Sequence, residues 1–241
     1  MSPENRNTCP FGPQYQIYWD MRHALFSRFD QAQVDATGLY TMVPENHAMD
    51  MARRAGGGAT LDLCSGIGAM SIAFARCGQQ VTAVEIDPRR VAMARHNARL
   101  YEVADRIDFR AADATAESTL AALPDDIHTL FMDPPWGAGP GDYLKRPVTR
   151  LADLELAGLN LVDLTRRLPG REVMLRLPPN FDIGILADIP AEKIAYVSAS
   201  GYLHWYYARM AREDFLQVPP RSGLEPMSPA ARRGFVARHI P

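Results

Sequence analysis

Five short apolar runs alternate with helical periods across the middle of the sequence, and this alternation constrains the architecture more than any other feature. Residues 60–64, 81–85, 107–110, 127–132 and 173–177 read as strands. Between the first three lie helices at 69–76 and 88–101, the second opened by Pro88 with Val91, Met93, Ala94, Asn97 and Ala98 at helical spacing. An alanine-rich stretch, 115–123, separates the third strand from the fourth, and 154–168 reads as a helix before the fifth. Strands joined through helices cross over right-handed and build a parallel sheet covered on both faces. The last two strands, 194–199 and 202–210, meet at a tight Ser200-Gly201 turn, which predicts an antiparallel hairpin at the sheet edge. The expected fold class is α/β, with a mostly parallel seven-stranded sheet.

Ahead of the sheet, residues 1–14 carry three prolines and no apolar period, so a flexible arm is expected there. Residues 15–29 place Tyr15, Tyr18, Trp19, Leu25, Phe26 and Phe29 at helical spacing. A second helix opens at Pro44-Glu45 and is stopped by Gly56-Gly57-Gly58. The expected organisation is an arm over 1–14, a helical extension over 15–56, a core over 57–210 and a Pro- and Arg-rich tail over 211–241.

Composition narrows the class. The 241 residues are 47% hydrophobic and 22% charged, enough to bury a core, and the net charge is −2. Proteins that grip long nucleic acids usually carry a basic surplus, so extended RNA binding is not expected. Cys9, Cys64 and Cys77 have no metal-ligand spacing, and Cys64 and Cys77 are expected as small core residues. No metal site is expected, no apolar run is long enough for a membrane span, and a reducing cytoplasm is the expected location.

The turn after the first strand reads Asp62-Leu63-Cys64-Ser65-Gly66-Ile67-Gly68. Glycines there let backbone approach a ligand, although a Gly-x-Gly by itself is only a tight β–α turn. Two acids strengthen it. Glu85 ends the second strand, where a carboxylate can accept from both ribose hydroxyls, and Asp113 follows the third, where it can accept from an adenine amino group. A dinucleotide fingerprint would need a third glycine, but Met70 and Ser71 stand there, and Asp62 would repel a pyrophosphate. An acid suits the cationic amino acid end of S-adenosylmethionine. That cofactor is expected, held by Asp62, Gly66, Gly68, Glu85, Ile86, Asp113 and Ala114, on a class I, Rossmann-like methyltransferase fold.

Asp133-Pro134-Pro135-Trp136 follows the fourth strand. Two prolines fix φ and leave carbonyls without local donors, so the Pro134 carbonyl and Asp133 can both accept from a planar –NH2 group. Trp136 offers a stacking face, and Asp133 needs only an ordinary pKa to take a proton that becomes acidic as the nitrogen is methylated. Asp133, Pro134 and Trp136 are the expected catalytic residues.

With these segments, the chain resembles the trimethylguanosine synthases, the RNA-cap guanine-N2 methyltransferases. Tyr18-Trp19, Leu25-Phe26-Ser27-Arg28-Phe29-Asp30, Pro44-Glu45, Glu85-Ile86-Asp87-Pro88 and Ala94-Arg95-His96-Asn97-Ala98 carry the likeness, which spans Tyr18 to Tyr207. The resemblance implies that the N-terminal helices pack over the cofactor, that Trp136 stacks on the substrate base, and that Asn97 and Tyr143 contact the nucleotide. The plainer role for Asn97 is to hold a neighbouring loop. Three departures stand out: Asp133 replaces a serine, Ile17 replaces a basic residue, and Pro179 replaces an arginine. The last two remove charges that serve phosphates in the family, so capped RNA is not expected as an efficient acceptor. The expected activity is N-methylation of a planar, guanine-like amine. The alternatives are a small-molecule methyltransferase and a scaffold that has lost activity.

Among the remaining residues, His96 is expected to be exposed. The run His204-Trp205-Tyr206-Tyr207 is expected to be a hairpin strand with one buried face.

Overall fold

A computed structural model describes residues 8–136, 155–181, 183–186, 188–197 and 203–217. It divides into two compact units at Ala114 and Thr115. The N-terminal unit contains α1 (Gln16–Asp20), α2 (Arg22–Leu25), α3 (Ala36–Thr41), α4 (Glu45–Arg54), β1 (Ala59–Leu63), α5 (Ala69–Arg76), β2 (Gln80–Glu85), α6 (Pro88–Leu100) and β3 (Ile107–Ala111). The C-terminal unit contains α7 (Glu117–Ala121), β4 (Ile127–Met132), β5 (Glu155–Leu156), β6 (Leu159–Asn160), α8 (Leu161–Arg166), β7 (Glu172–Leu177), β8 (Ala191–Val197), β9 (Leu203–Ala211) and α9 (Arg212–Leu216). The seven-stranded sheet has the order β3-β2-β1-β4-β7-β9-β8. The pairs β1–β2, β2–β3 and β4–β7 are parallel, whereas β7–β9 and β8–β9 are antiparallel. This is the mixed sheet that the strand–helix alternation implies.

In the N-terminal unit, β1 and β2 are almost wholly buried, as parallel strands covered on both faces must be. Helix α6 starts with Pro88, and the Asp87 carboxylate accepts from the Arg89 amide at 2.9 Å. The segment expected as one helix over 15–29 is instead broken into α1, α2 and a 3-10 turn at Phe29–Gln31. Aromatic packing accounts for the break: Trp19 sits edge-on to Phe29 at 5.6 Å and to Phe11 at 6.4 Å, which folds the chain back on itself. The expected arm is shorter than residues 1–14, because Cys9 is buried and its amide donates to Gln16 Oε1 at 2.9 Å. Cys9 is the buried cysteine; Cys64 and Cys77 are half-buried, not core residues. His96 is half-buried as well, with Nε2 at 2.9 Å from the Gln31 carbonyl.

In the C-terminal unit, the helix expected over 154–168 is only Leu161–Arg166. A small hairpin, β5–β6, takes its first half, because Ala157 and Gly158 both adopt positive φ (49° and 83°) and turn the chain. Asn160 then caps α8 by accepting from the Asp163 amide at 2.9 Å. On β9, Trp205, Tyr206 and Tyr207 are all buried, so both faces of that strand are covered rather than one. Regular structure also runs past 210: α9 buries Phe215 completely. Residues 198–202, with the Ser200-Gly201 turn, lie outside the described residues. Among the described residues no helix is long and apolar enough to cross a membrane, and no cluster of three metal-ligating side chains occurs.

Candidate active site

The N-terminal unit brings together the residues expected to hold the cofactor. At the end of β1, Cys64 takes a φ of 64°, a left-handed conformation that costs a non-glycine residue about 1 kcal/mol or more. Gly68, at φ 91°, begins α5, and a Cβ there would lie 3.1 Å from the Ala94 Cβ and 3.3 Å from the Phe109 ring. Glycine is therefore required at 68 for both conformation and space. Glu85 is buried at the end of β2 and holds this turn: Oε2 accepts from the Gly66 amide at 3.0 Å and Oε1 from the Asp87 amide at 3.0 Å. The Arg90 guanidinium stands 3.7 Å from Glu85 and also donates to Asp35 Oδ2 at 3.0 Å. Asp62, buried at the β1 end, accepts from the Ser71 hydroxyl. Ile86 is 68% exposed just beyond the strand, Asp113 is half-buried and Ala114 is buried.

Asn97 departs from its expected role as a nucleotide contact. It is fully buried; its amide nitrogen donates to the carbonyls of Gln33 (3.0 Å) and Ile67 (3.1 Å), and its oxygen accepts from the Gln33 amide at 2.8 Å. Its hydrogen-bonding capacity is thus taken up in fastening the N-terminal segment to the glycine turn. Helix α3 reaches the same turn, since a Cβ on Gly38 would meet Ile67 at 2.9 Å. Asn97→Ala is expected to destabilise the fold by about 2–3 kcal/mol, since it leaves buried partners unsatisfied, while the acceptor KM stays unchanged. Denaturant unfolding together with acceptor titration checks this; a raised KM at unchanged stability would make Asn97 a ligand contact instead.

The C-terminal unit carries the Asp133-Pro134-Pro135-Trp136 loop. Asp133 follows β4, Pro134 is buried, Pro135 is exposed and Trp136 is half-buried. Asp133 Oδ2 accepts from Arg176 Nη1 at 2.7 Å, and the Asp133 side chain is only 18% exposed. Burial pushes its carboxyl above the ordinary carboxylate range, against the lowering effect of the Arg176 charge and hydrogen bond. Arg176, on β7, is 5% exposed and lies between two indoles, its guanidinium carbon 4.5 Å from the Trp136 centroid and 4.7 Å from that of Trp205. Sequence reasoning did not pair this residue with Asp133. Tyr143 lies outside the described residues.

Residues 57–211 match the family described as RNA cap guanine-N2 methyltransferase. The trimethylguanosine synthase of Schizosaccharomyces pombe is 34% identical over 190 residues, covering 74% of this chain and 77% of its own length. The chain belongs to this family. It is an S-adenosylmethionine-dependent methyltransferase. A 23S rRNA (uracil(1939)-C(5))-methyltransferase of Acidithiobacillus ferrooxidans is 31% identical over 51% of this chain, but the chain spans only 27% of that relative. A solved Porphyromonas gingivalis W83 structure assigned as a methyltransferase superposes with a TM-score of 0.62 at 18% identity, covering 100% of this chain and 64% of its own, and shares the fold.

The residues at the glycine turn fit the cofactor. The Ser65 hydroxyl is buried within the turn with no hydrogen-bond partner among the described residues, a donor suited to an amino-acid carboxylate. Ile86 presents an apolar face beside Glu85, as an adenosine beside a ribose acceptor requires. Asp62, Glu85 and Asp113 supply carboxylates at three successive strand ends.

Proposed function

We propose that the enzyme methylates the exocyclic amine of a planar, guanine-like base held at Asp133-Pro134-Pro135-Trp136. The observation that carries this is the state of Asp133: Oδ2 is committed to Arg176, and Oδ1 has no partner among the described residues. A carboxylate oxygen left accessible and without a partner, beside one that is committed to a guanidinium, is a strong acceptor for an N–H. The Pro134 carbonyl can take the second N–H, and Trp136 offers a ring on which a base can stack.

Bound in the cofactor site, S-adenosylmethionine supplies an electrophilic methyl carbon on a sulfonium. Transfer of that methyl group would leave the acceptor nitrogen cationic and strongly acidic. Asp133 Oδ1 holds the N–H before transfer and receives its proton afterwards. The raised pKa of Asp133 makes it a better base than an ordinary carboxylate, at the cost of a rate that falls as the pH drops through that pKa. Orientation carries most of the acceleration.

The uracil-C5 relative suggests a carbon acceptor. That chemistry calls for a thiolate to add to the ring first, and the three cysteines, Cys9, Cys64 and Cys77, all lie outside the acceptor loop. An amine acceptor needs no such nucleophile. Family membership gives no support to the expectation that extended RNA is not a partner, so guanine within RNA stays inside this proposal. The exposed Ile17 and the half-buried Pro179, in place of phosphate-binding residues, favour an acceptor with few phosphates. The test is a panel of guanosine, inosine, uridine and cap analogues of increasing phosphate number. Transfer to guanosine but not to inosine, which lacks the 2-amino group, is expected. Equal transfer to inosine or uridine would overturn the amine assignment, and turnover that improves with each added phosphate would overturn the preference for few phosphates.

A further inference from the structure

A charged residue buried near the end of a largely apolar, interior strand needs a reason. Strand β7 reads Glu-Val-Met-Leu-Arg-Leu, buried almost throughout, and Arg176 is buried with it. Burying a guanidinium is costly, and exchanging a buried ion pair for apolar residues is often neutral or stabilising. Packing alone does not call for Arg176. Its contacts do: one nitrogen donates to Asp133 at 2.7 Å, and its guanidinium carbon lies over the Trp136 and Trp205 rings, 4.5 and 4.7 Å from their centroids. We propose that Arg176 is a positioning residue for methyl transfer, holding the Asp133 carboxylate and the Trp136 indole as one rigid acceptor platform, with Trp205 bracing its other side. This deepens the amine-acceptor proposal and rests on it for the role of Asp133.

The planar guanidinium performs two tasks that no other side chain combines. Its charge opposes the upward push of burial on the Asp133 carboxyl and its hydrogen bond fixes Oδ2, so Oδ1 alone is left for the substrate. Its flat face fixes the tilt of the indole on which the base stacks. Among the described residues Arg176 is the charged group facing Asp133. Tyr207, opposite Arg176 on β9, is kept neutral by burial, which pushes its phenol far up, helped by the nearby Glu192 charge.

Three variants of the full chain, Arg176→Met, Arg176→Gln and Arg176→Lys, separate positioning from mere structure. The Asp133 titration is followed by carboxyl carbon NMR, with the resonance identified through Asp133→Asn, alongside the pH–rate profile and the acceptor KM. Removing the charge in Arg176→Met or Arg176→Gln is expected to move the Asp133 midpoint up by about one pH unit or more, and the acid limb of the rate profile with it. Arg176→Lys keeps the charge but not the plane, so the midpoint should stay in place while the acceptor KM rises roughly three- to tenfold. An unmoved midpoint in both uncharged variants, or a rate lowered equally at every pH, would overturn the proposal. So would Arg176→Lys behaving as wild type in KM, which remains decisive if the uncharged variants do not fold. Because the NMR midpoint requires no acceptor, a failure of the amine assignment is distinguishable from a failure of this one.

Discussion

Asp133→Asn is expected to slow methyl transfer by a factor on the order of a hundred or more while leaving cofactor affinity nearly unchanged. Asparagine has the same shape but the wrong donors. The buried Arg176 guanidinium demands an acceptor, so the amide oxygen turns towards it and the amide nitrogen faces the substrate. A donor then meets the donor of the substrate amine, and the proton formed on methylation has no carboxylate to receive it. The change also removes the counter-ion of Arg176, at a stability cost on the order of 2 kcal/mol, so rates belong well below the variant's melting temperature. Single-turnover transfer at saturating cofactor checks this; rates equal to wild type would rule out the amine clamp.

Glu85→Ala should do the reverse, weakening cofactor binding roughly 10- to 150-fold with a smaller effect on the rate at saturation. Loss of a charge-assisted hydrogen bond costs about 1.5–3 kcal/mol, which converts to that range. Glu85 bears on binding in two ways. It is placed to accept from ribose hydroxyls, and it already holds the Gly66 and Asp87 amides at 3.0 Å, so its removal also loosens the turn that receives the cofactor. Calorimetric titration decides it: unchanged affinity would mean that the ribose acid lies elsewhere.

The sheet was legible because each parallel strand is buried on both faces and so appears as a continuous apolar run bounded by turn residues. Helix α5 was likewise clear, bounded by Gly68 and Gly78. The glycine turn and the Asp-Pro-Pro-Trp loop were legible for a different reason: their chemistry depends on residue types at fixed offsets from strand ends. The N-terminal segment was not, because Trp19, Phe29 and Phe11 satisfy a helical period while packing on one another, and periodicity does not reveal that the chain doubles back. The β5–β6 hairpin was hidden by leucines that fit a helix equally well, with Gly158 the one local signal of a turn. Asn97 stood between two roles in the sequence, because a polar residue on a helix face reads the same whether it meets a ligand or a neighbouring loop. Arg176 left a trace that could have been followed, since one arginine inside Val-Met-Leu-Arg-Leu must have a buried acid, and Asp133 ends the adjacent strand.

The most direct test of the acceptor assignment uses S-adenosylmethionine labelled with carbon-13 at the methyl group and guanosine labelled with nitrogen-15 at the 2-amino group. Transfer to that nitrogen splits the product methyl resonance through one-bond carbon–nitrogen coupling, and the account predicts this doublet. A methyl singlet would place the group on another atom and contradict it.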